Sequence, residues 1–234
     1  MLNTRKLLLG CGIASSALYL GAIDVLAPLA RPEYHSFNKM VSELFAVGAP
    51  TRELLALPMS AYNLLAFAFA AGVWAAAESV AAGRPRRAAR LTAIALAVYA
   101  SISTAGFFLT PMDVRGAGGV TERDVLHMVG TAAQGIAIVA ALVLGALAHG
   151  TRFRVYSFAT LGTALVFGAL ASIAAGQDSR WVGVTERVNI YAWMLWVAVL
   201  AVAFLRMLDD KTRSEPSASR RGLVRRLAQA LRIV

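Results

Sequence analysis

Few side chains in this 234-residue chain can do chemistry, because only 15% of its residues are charged, so the positions of those few are informative. The ones that stand out are Ser42, Glu43, Asp113, His127, Glu186 and Arg187. His127 beside a carboxylate such as Asp113 or Glu186 would make a general acid–base pair, and these three are the catalytic candidates. Ser42 and Glu43 offer a hydroxyl and a base, but neighbours on a helix diverge by about 100° and do not face each other. Glu186-Arg187 opens an apolar run. A glutamate there suits the positive end of a helix dipole, and the arginine suits a lipid phosphate or a carboxylate such as Asp178. Asp24 lies inside another apolar run, where an ionisable group is costly unless it meets partners or water.

Other chemistries find less support. A zinc site drawn from His127, Asp113, Glu186 and Glu43 would need tertiary folding to assemble it, and no two-histidine spacing supports one. A haem is excluded by geometry. His35 lies in a loop, and His127 and His149 sit on one helix about 33 Å apart, at opposite membrane faces. No phosphate loop, G-x-S-x-G elbow or HExxH motif occurs. The single cysteine, Cys11, rules out an internal disulfide or a multi-cysteine metal site. Leu8-Leu9-Gly10-Cys11 resembles a lipoprotein box, but the apolar run before it is too short and continues past it, so Cys11 reads as a buried thiol and no cleavable signal is expected. No metal and no cofactor are assigned.

The elements that must position these residues are membrane spans. The chain is 58% hydrophobic with mean hydropathy +0.62. Its apolar residues gather in runs of about 20, the length that crosses a bilayer core of about 30 Å. The expected fold is all-α, a polytopic bundle of six transmembrane helices over about 7–29, 57–82, 89–109, 125–148, 155–175 and 188–208. Residues 1–208 form one domain, and 209–234 a basic tail whose end, RRGLVRRLAQALRIV, has the pattern of an amphipathic helix suited to an anionic leaflet. Between the first two spans, Phe37, Met40, Val41, Leu44 and Phe45 recur at helical spacing, which predicts a short interfacial helix. Thr121 and Asp124 offer an N-cap for the fourth span.

The net charge of +10 reflects basic residues flanking spans and not a nucleic-acid surface, since no aromatic interleaving or recognition helix accompanies it. With six spans both termini share a side, and sixteen of the 23 Lys and Arg residues fall on it. The other side has Arg31, Lys39, Arg52, Arg115, Arg123, Arg180 and Arg187. This bias predicts a multi-pass protein of the plasma (inner) membrane with cytoplasmic termini. The distinctive polar groups then cluster outside. Membrane lipids are the expected partners, with a second copy of the chain or another membrane protein as further candidates.

Several motifs in order resemble one family: Arg31-Pro32-x-Tyr34, Ser42-Glu43-Leu44 with Gly48-Ala49-Pro50, Pro111-x-Asp113, His127-x-x-Gly130, and Gly183-x-x-Glu186-Arg187. Together they resemble the prokaryotic six-helix membrane family known only as domain of unknown function 998, over about residues 7–208. Thr110 stands before Pro111 where the family pattern leads one to expect an aromatic. The resemblance implies an integral membrane protein, names no activity, and favours a shared outer site built from Arg31, Tyr34, Ser42, Glu43, Asp113, His127, Glu186 and Arg187. Such a pocket would bind or process a lipid head group or small polar ligand. The alternatives are a transporter or proton-coupled carrier using Asp24, and a non-catalytic structural or assembly protein.

Overall fold

The computed structural model describes residues 2–31, 33–114 and 120–230, with side chains described up to residue 213. Among the described residues six helices are long and apolar enough to cross a membrane: α1 Leu2–Ala30, α2 Thr51–Ser79, α3 Arg84–Phe108, α4 Glu122–Ala148, α5 Thr151–Gly176 and α6, whose spanning part is Val182–Arg213. No β-strand occurs among the described residues. The protein is thus an all-α, multi-pass membrane protein. Each helix starts a few residues before its hydropathic run, because hydropathy marks the bilayer while capping and charged residues extend the helix beyond it. The backbone of α6 continues helically to Ala230. The amphipathic faces expected of the basic tail, and the glycine-rich segment 116–119, lie outside the described residues.

Consecutive helices are neighbours and α6 packs back on α1, closing a ring. Small residues set the closest approaches. A Cβ on Gly72 of α2 would lie 2.8 Å from the Leu8 backbone of α1, and one on Gly145 of α4 would lie 2.7 Å from the Trp196 ring. From α6, Trp193 and Trp196 stack on each other at 5.3 Å between centroids, and Trp193 also meets Tyr99 of α3 at 4.9 Å. Trp196 Nε1 donates to Ser157 Oγ of α5 at 2.9 Å. Toward the face holding the chain ends, Leu9, Phe69, Val73, Leu200 and Phe204 are fully buried and shut that half of the bundle.

His149, at the start of the α4–α5 turn, belongs to that closed end. Its ring packs against Phe153 at 4.6 Å and Phe204 at 4.7 Å, its Nδ1 meets the Gly145 carbonyl at 3.2 Å, and its Nε2 is buried without a partner among the described residues. Burial pushes its pKa below the ordinary histidine value. Between that lowered value and about 6.5 the unfolded chain binds the extra proton, so the stabilisation is complete above about 6.5 and is lost as pH falls toward the folded pKa. A His149→Phe variant is therefore expected to show a flatter fall in thermal stability between about pH 7 and 5 than the parent. Parallel pH profiles of the melting temperature would contradict the neutral buried ring.

The connection between α1 and α2 departs from the sequence expectation. No helix spans 37–45; only Ser42–Phe45 forms a single 3₁₀ turn, preceded by turns over 36–39. Val41 and Leu44 are buried as their periodicity requires, but Phe37 is half exposed and rests on Trp181 at 4.5 Å. The physical reason is tertiary. Carbonyls of Ser36, Lys39 and Met40, which a helix would aim along its own axis, turn instead toward Arg187 and the Tyr34 hydroxyl.

Candidate functional site

Asp24 sits where α1 widens into a π-helical turn over Ala22–Leu26. Pro28 lies four residues on and has no N–H to give the Asp24 carbonyl, and the ladder skips it by closing Ala27 N–H on Ala22 O. The turn brings Asp24 to the start of α6. There Asp24 Oδ1 receives Arg187 Nε at 3.3 Å and Oδ2 receives the Tyr191 hydroxyl at 2.8 Å.

Arg187 is the centre of the arrangement and is only 6% exposed. Besides Asp24 it donates to the carbonyls of Ser36 at 2.6 Å, Lys39 at 3.0 Å and Gly183 at 3.2 Å, and to the Tyr34 hydroxyl at 2.6 Å. The fork of a guanidinium can serve all of these at once, which an ammonium cannot. Tyr34 passes its own proton on to the Met40 carbonyl at 3.0 Å. Burial pushes the Tyr34 phenol up to about 12, against the opposing pull of Arg187, so it remains a donor. Gly183 lets the loop lie directly on α6, since a Cβ there would stand 2.3 Å from Ser36 O and 2.5 Å from Lys39 O.

Glu186 lies beside this lock and plays a different part. Its carboxylate accepts the Val41 N–H and has the Ser42 N–H, Arg187 and Glu43 as close neighbours. Protein surrounds it, yet part of its surface stays open. Glu43 is buried, accepts Met40 N–H at 3.2 Å and pairs with Lys39 at 3.5 Å. Arg31 pairs with Glu33 at 2.9 Å on the exposed side of the same loop.

Asp113 and His127 belong to a second group, the α3–α4 connection. Thr121 caps α4 in a reciprocal box with Asp124. Asp113 accepts the Thr121 hydroxyl at 2.8 Å, pairs with Arg123 at 3.5 Å, and gives its N–H to Asp124 at 2.9 Å. His127 Nδ1 meets the Thr110 carbonyl at 3.0 Å. A bond from Val47 N–H to Met112 O at 2.9 Å ties this connection to the α1–α2 loop. Of the residues singled out in the sequence, Asp24 and Tyr34 therefore meet Arg187, Glu186 stands beside it with Ser42 and Glu43 as its own neighbours, and Asp113 and His127 are held by theirs. Among the described residues no three His, Cys, Asp or Glu side chains form a metal-binding group.

Gln134 was legible in the sequence as an intramembrane polar residue, but the tyrosines around it deeper in the bundle were not. Tyr19 lies among Asp24, Glu186, Arg187 and Tyr99, and its ring meets Tyr62 at 4.9 Å. The Tyr62 and Tyr99 hydroxyls share a hydrogen bond of 2.7 Å, and Gln134 stands beside Tyr99. The available signal was depth, since each of these residues falls a similar distance along its own span.

No curated protein and no solved structure matches this chain. One family model does, over residues 13–203, and its description is "Protein of unknown function (DUF998)". That match takes in α2–α5 entire, most of α1, both connections described above, and Glu186 and Arg187. The chain is thus a member of the DUF998 family of proteins of unknown function.

Proposed function

We propose that this membrane protein binds a polar ligand, a lipid head group or a small polar molecule, in a crevice at the face that carries the 31–50 loop. The observation that carries this reading is Glu186: a carboxylate enclosed by protein, neighboured by Tyr19, with part of its surface open. Its oxygens are met by backbone amides of the loop, while the adjacent guanidinium is already committed to Asp24, Tyr34 and three carbonyls. Such a carboxylate suits a ligand that donates hydrogen bonds, through an ammonium or hydroxyl groups. Asp113 and His127 order the neighbouring connection in this reading. The bias of basic residues supports placing the crevice outside a plasma membrane and both termini in the cytoplasm.

A carrier using Asp24 is the second reading, favoured by the π turn at that residue. Against it, both Asp24 oxygens are engaged and the opposite half of the bundle is packed shut.

Native mass spectrometry of the protein released from lipid nanodiscs tests the binding reading. The parent chain is expected to retain a ligand that Glu186→Gln loses roughly ten- to a hundredfold, the range of a charge-assisted hydrogen bond of about 1.5–3 kcal/mol. Glutamine can still accept from Val41, so the fold should survive. Equal retention by both proteins would remove the reading.

A further inference from the structure

Five polar side chains from five helices share one depth. Counting from the loop-face ends of their helices, Tyr19, Tyr62, Tyr99, Gln134 and Trp193 lie about 14–18 Å in at 1.5 Å per residue, close to the middle of a bilayer core of about 30 Å. Polar groups at that depth are costly unless their hydrogen bonds are made. Most of this layer complies, but Trp193 does not. Its side chain is 3% exposed, and its buried indole N–H leans toward the Tyr99 hydroxyl but makes no hydrogen bond of full geometry to any acceptor among the described residues.

Next to it is a cavity of about 10 Å³, whose polar lining is Ser15, Tyr62, Tyr99 and Trp193. That is the scale of a single water, which needs two to four polar partners. The wall supplies them. Trp193 Nε1 can only donate. The Tyr62–Tyr99 pair shares one proton along its own bond and has the other to give. Ser15 Oγ donates to the Gly12 carbonyl at 3.0 Å and keeps lone pairs to accept with.

We infer that this cavity is a binding site for one oxygen acceptor at the bilayer midplane, held by the Trp193 indole N–H and the Tyr62–Tyr99 pair. Water has the required size, and a hydroxyl or carbonyl oxygen of a bound molecule has the same chemistry. The site stands on its own geometry and persists even if Glu186 binds nothing.

The test is nitrogen-15 NMR of the full chain in nanodiscs with labelled tryptophan. Trp193→Phe identifies the Trp193 indole signal among the four tryptophans. The Trp196 indole, bonded to Ser157, provides a hydrogen-bonded reference. The expected result is a Trp193 indole proton as far downfield as that of Trp196, moving upfield in Ser15→Val as well as in Tyr99→Phe, both of which disturb the site while keeping the probe. Cross-relaxation to water assigns the oxygen to water. Cross-peaks to acyl or ligand protons, with none to water, assign it to a bound molecule, and either supports the site. An upfield, unbonded indole signal overturns it, and so does a downfield one that moves in Tyr99→Phe but ignores Ser15→Val, which is the mark of a direct bond to the Tyr99 hydroxyl.

Discussion

Replacing Arg187 with alanine is expected to cost about 3 kcal/mol of stability, the largest loss from any single polar side chain here. Breaking a buried ion pair by removing one partner typically costs about 3–5 kcal/mol, because the other charge stays behind. Asp24 keeps a side-chain exposure of 30%, which places the expectation at the lower end. Part of the loss is not electrostatic, since the carbonyls of Ser36 and Lys39 and the Tyr34 hydroxyl lose the donor that holds the loop. Arg187→Lys should recover less than half, because an ammonium cannot reach this spread of acceptors with a planar fork. Denaturation in micelles and limited proteolysis of the 31–50 loop measure the two parts. A double-mutant cycle with Asp24→Asn should return a coupling of about 0.5–3 kcal/mol. If Arg187→Ala unfolds within about 0.5 kcal/mol of the parent, as a typical surface change does, the arginine does not hold this face together.

The second large effect is expected at Gly183. An alanine Cβ would stand 2.3, 2.5 and 2.8 Å from the carbonyl oxygens of Ser36, Lys39 and Phe37. These are backbone atoms, so no side-chain rotation relieves the clash; the loop must lift from α6 and lengthen its bonds to Arg187. Overpacking of this kind costs about 1–3 kcal/mol, and Gly183→Ala should lie at the upper end because the loop bonds weaken with it. Gly10→Ala is the control. It has nothing within 4 Å of its Cβ and should be neutral or stabilising by up to about 1 kcal/mol, the helix-propensity gain. Similar melting temperatures for the two variants would mean that the loop does not rest on α6 as described.

Both expectations concern residues whose type was conspicuous in the sequence and whose partners were not. Glu186-Arg187 at the head of the last span reads equally well as a dipole-favoured pair and as a lipid contact. Asp24, 163 positions away from Arg187, reads as a snorkelling or transport residue. Nothing in either local pattern says that the two meet, because a buried ion pair between helices leaves no periodicity in the chain. The short loop helix failed for a related reason. Its apolar spacing correctly marked Val41 and Leu44 as buried, but burial periodicity does not report where the backbone carbonyls go, and Arg187 and Tyr34 claim them.

The six spans, the all-α architecture, the Thr121–Asp124 cap of α4 and the family were legible in the chain alone. Each is local: a run long enough for the bilayer, a cap beside its helix, or an ordered set of short motifs. Which polar residues meet one another came from the packing of the helices. It gathered Asp24, Tyr34 and Glu186 around Arg187 with Glu43 next to Glu186, gave Asp113 and His127 to the α3–α4 connection, and set Tyr19, Tyr62, Tyr99, Gln134 and Trp193 at one depth. Each helix can turn about its own axis without changing its hydropathy, so hydropathy alone leaves that packing undetermined. What fixes that rotation is where residues such as Gly72, Gly145 and Gly183 permit close approach, and which buried donors then find acceptors.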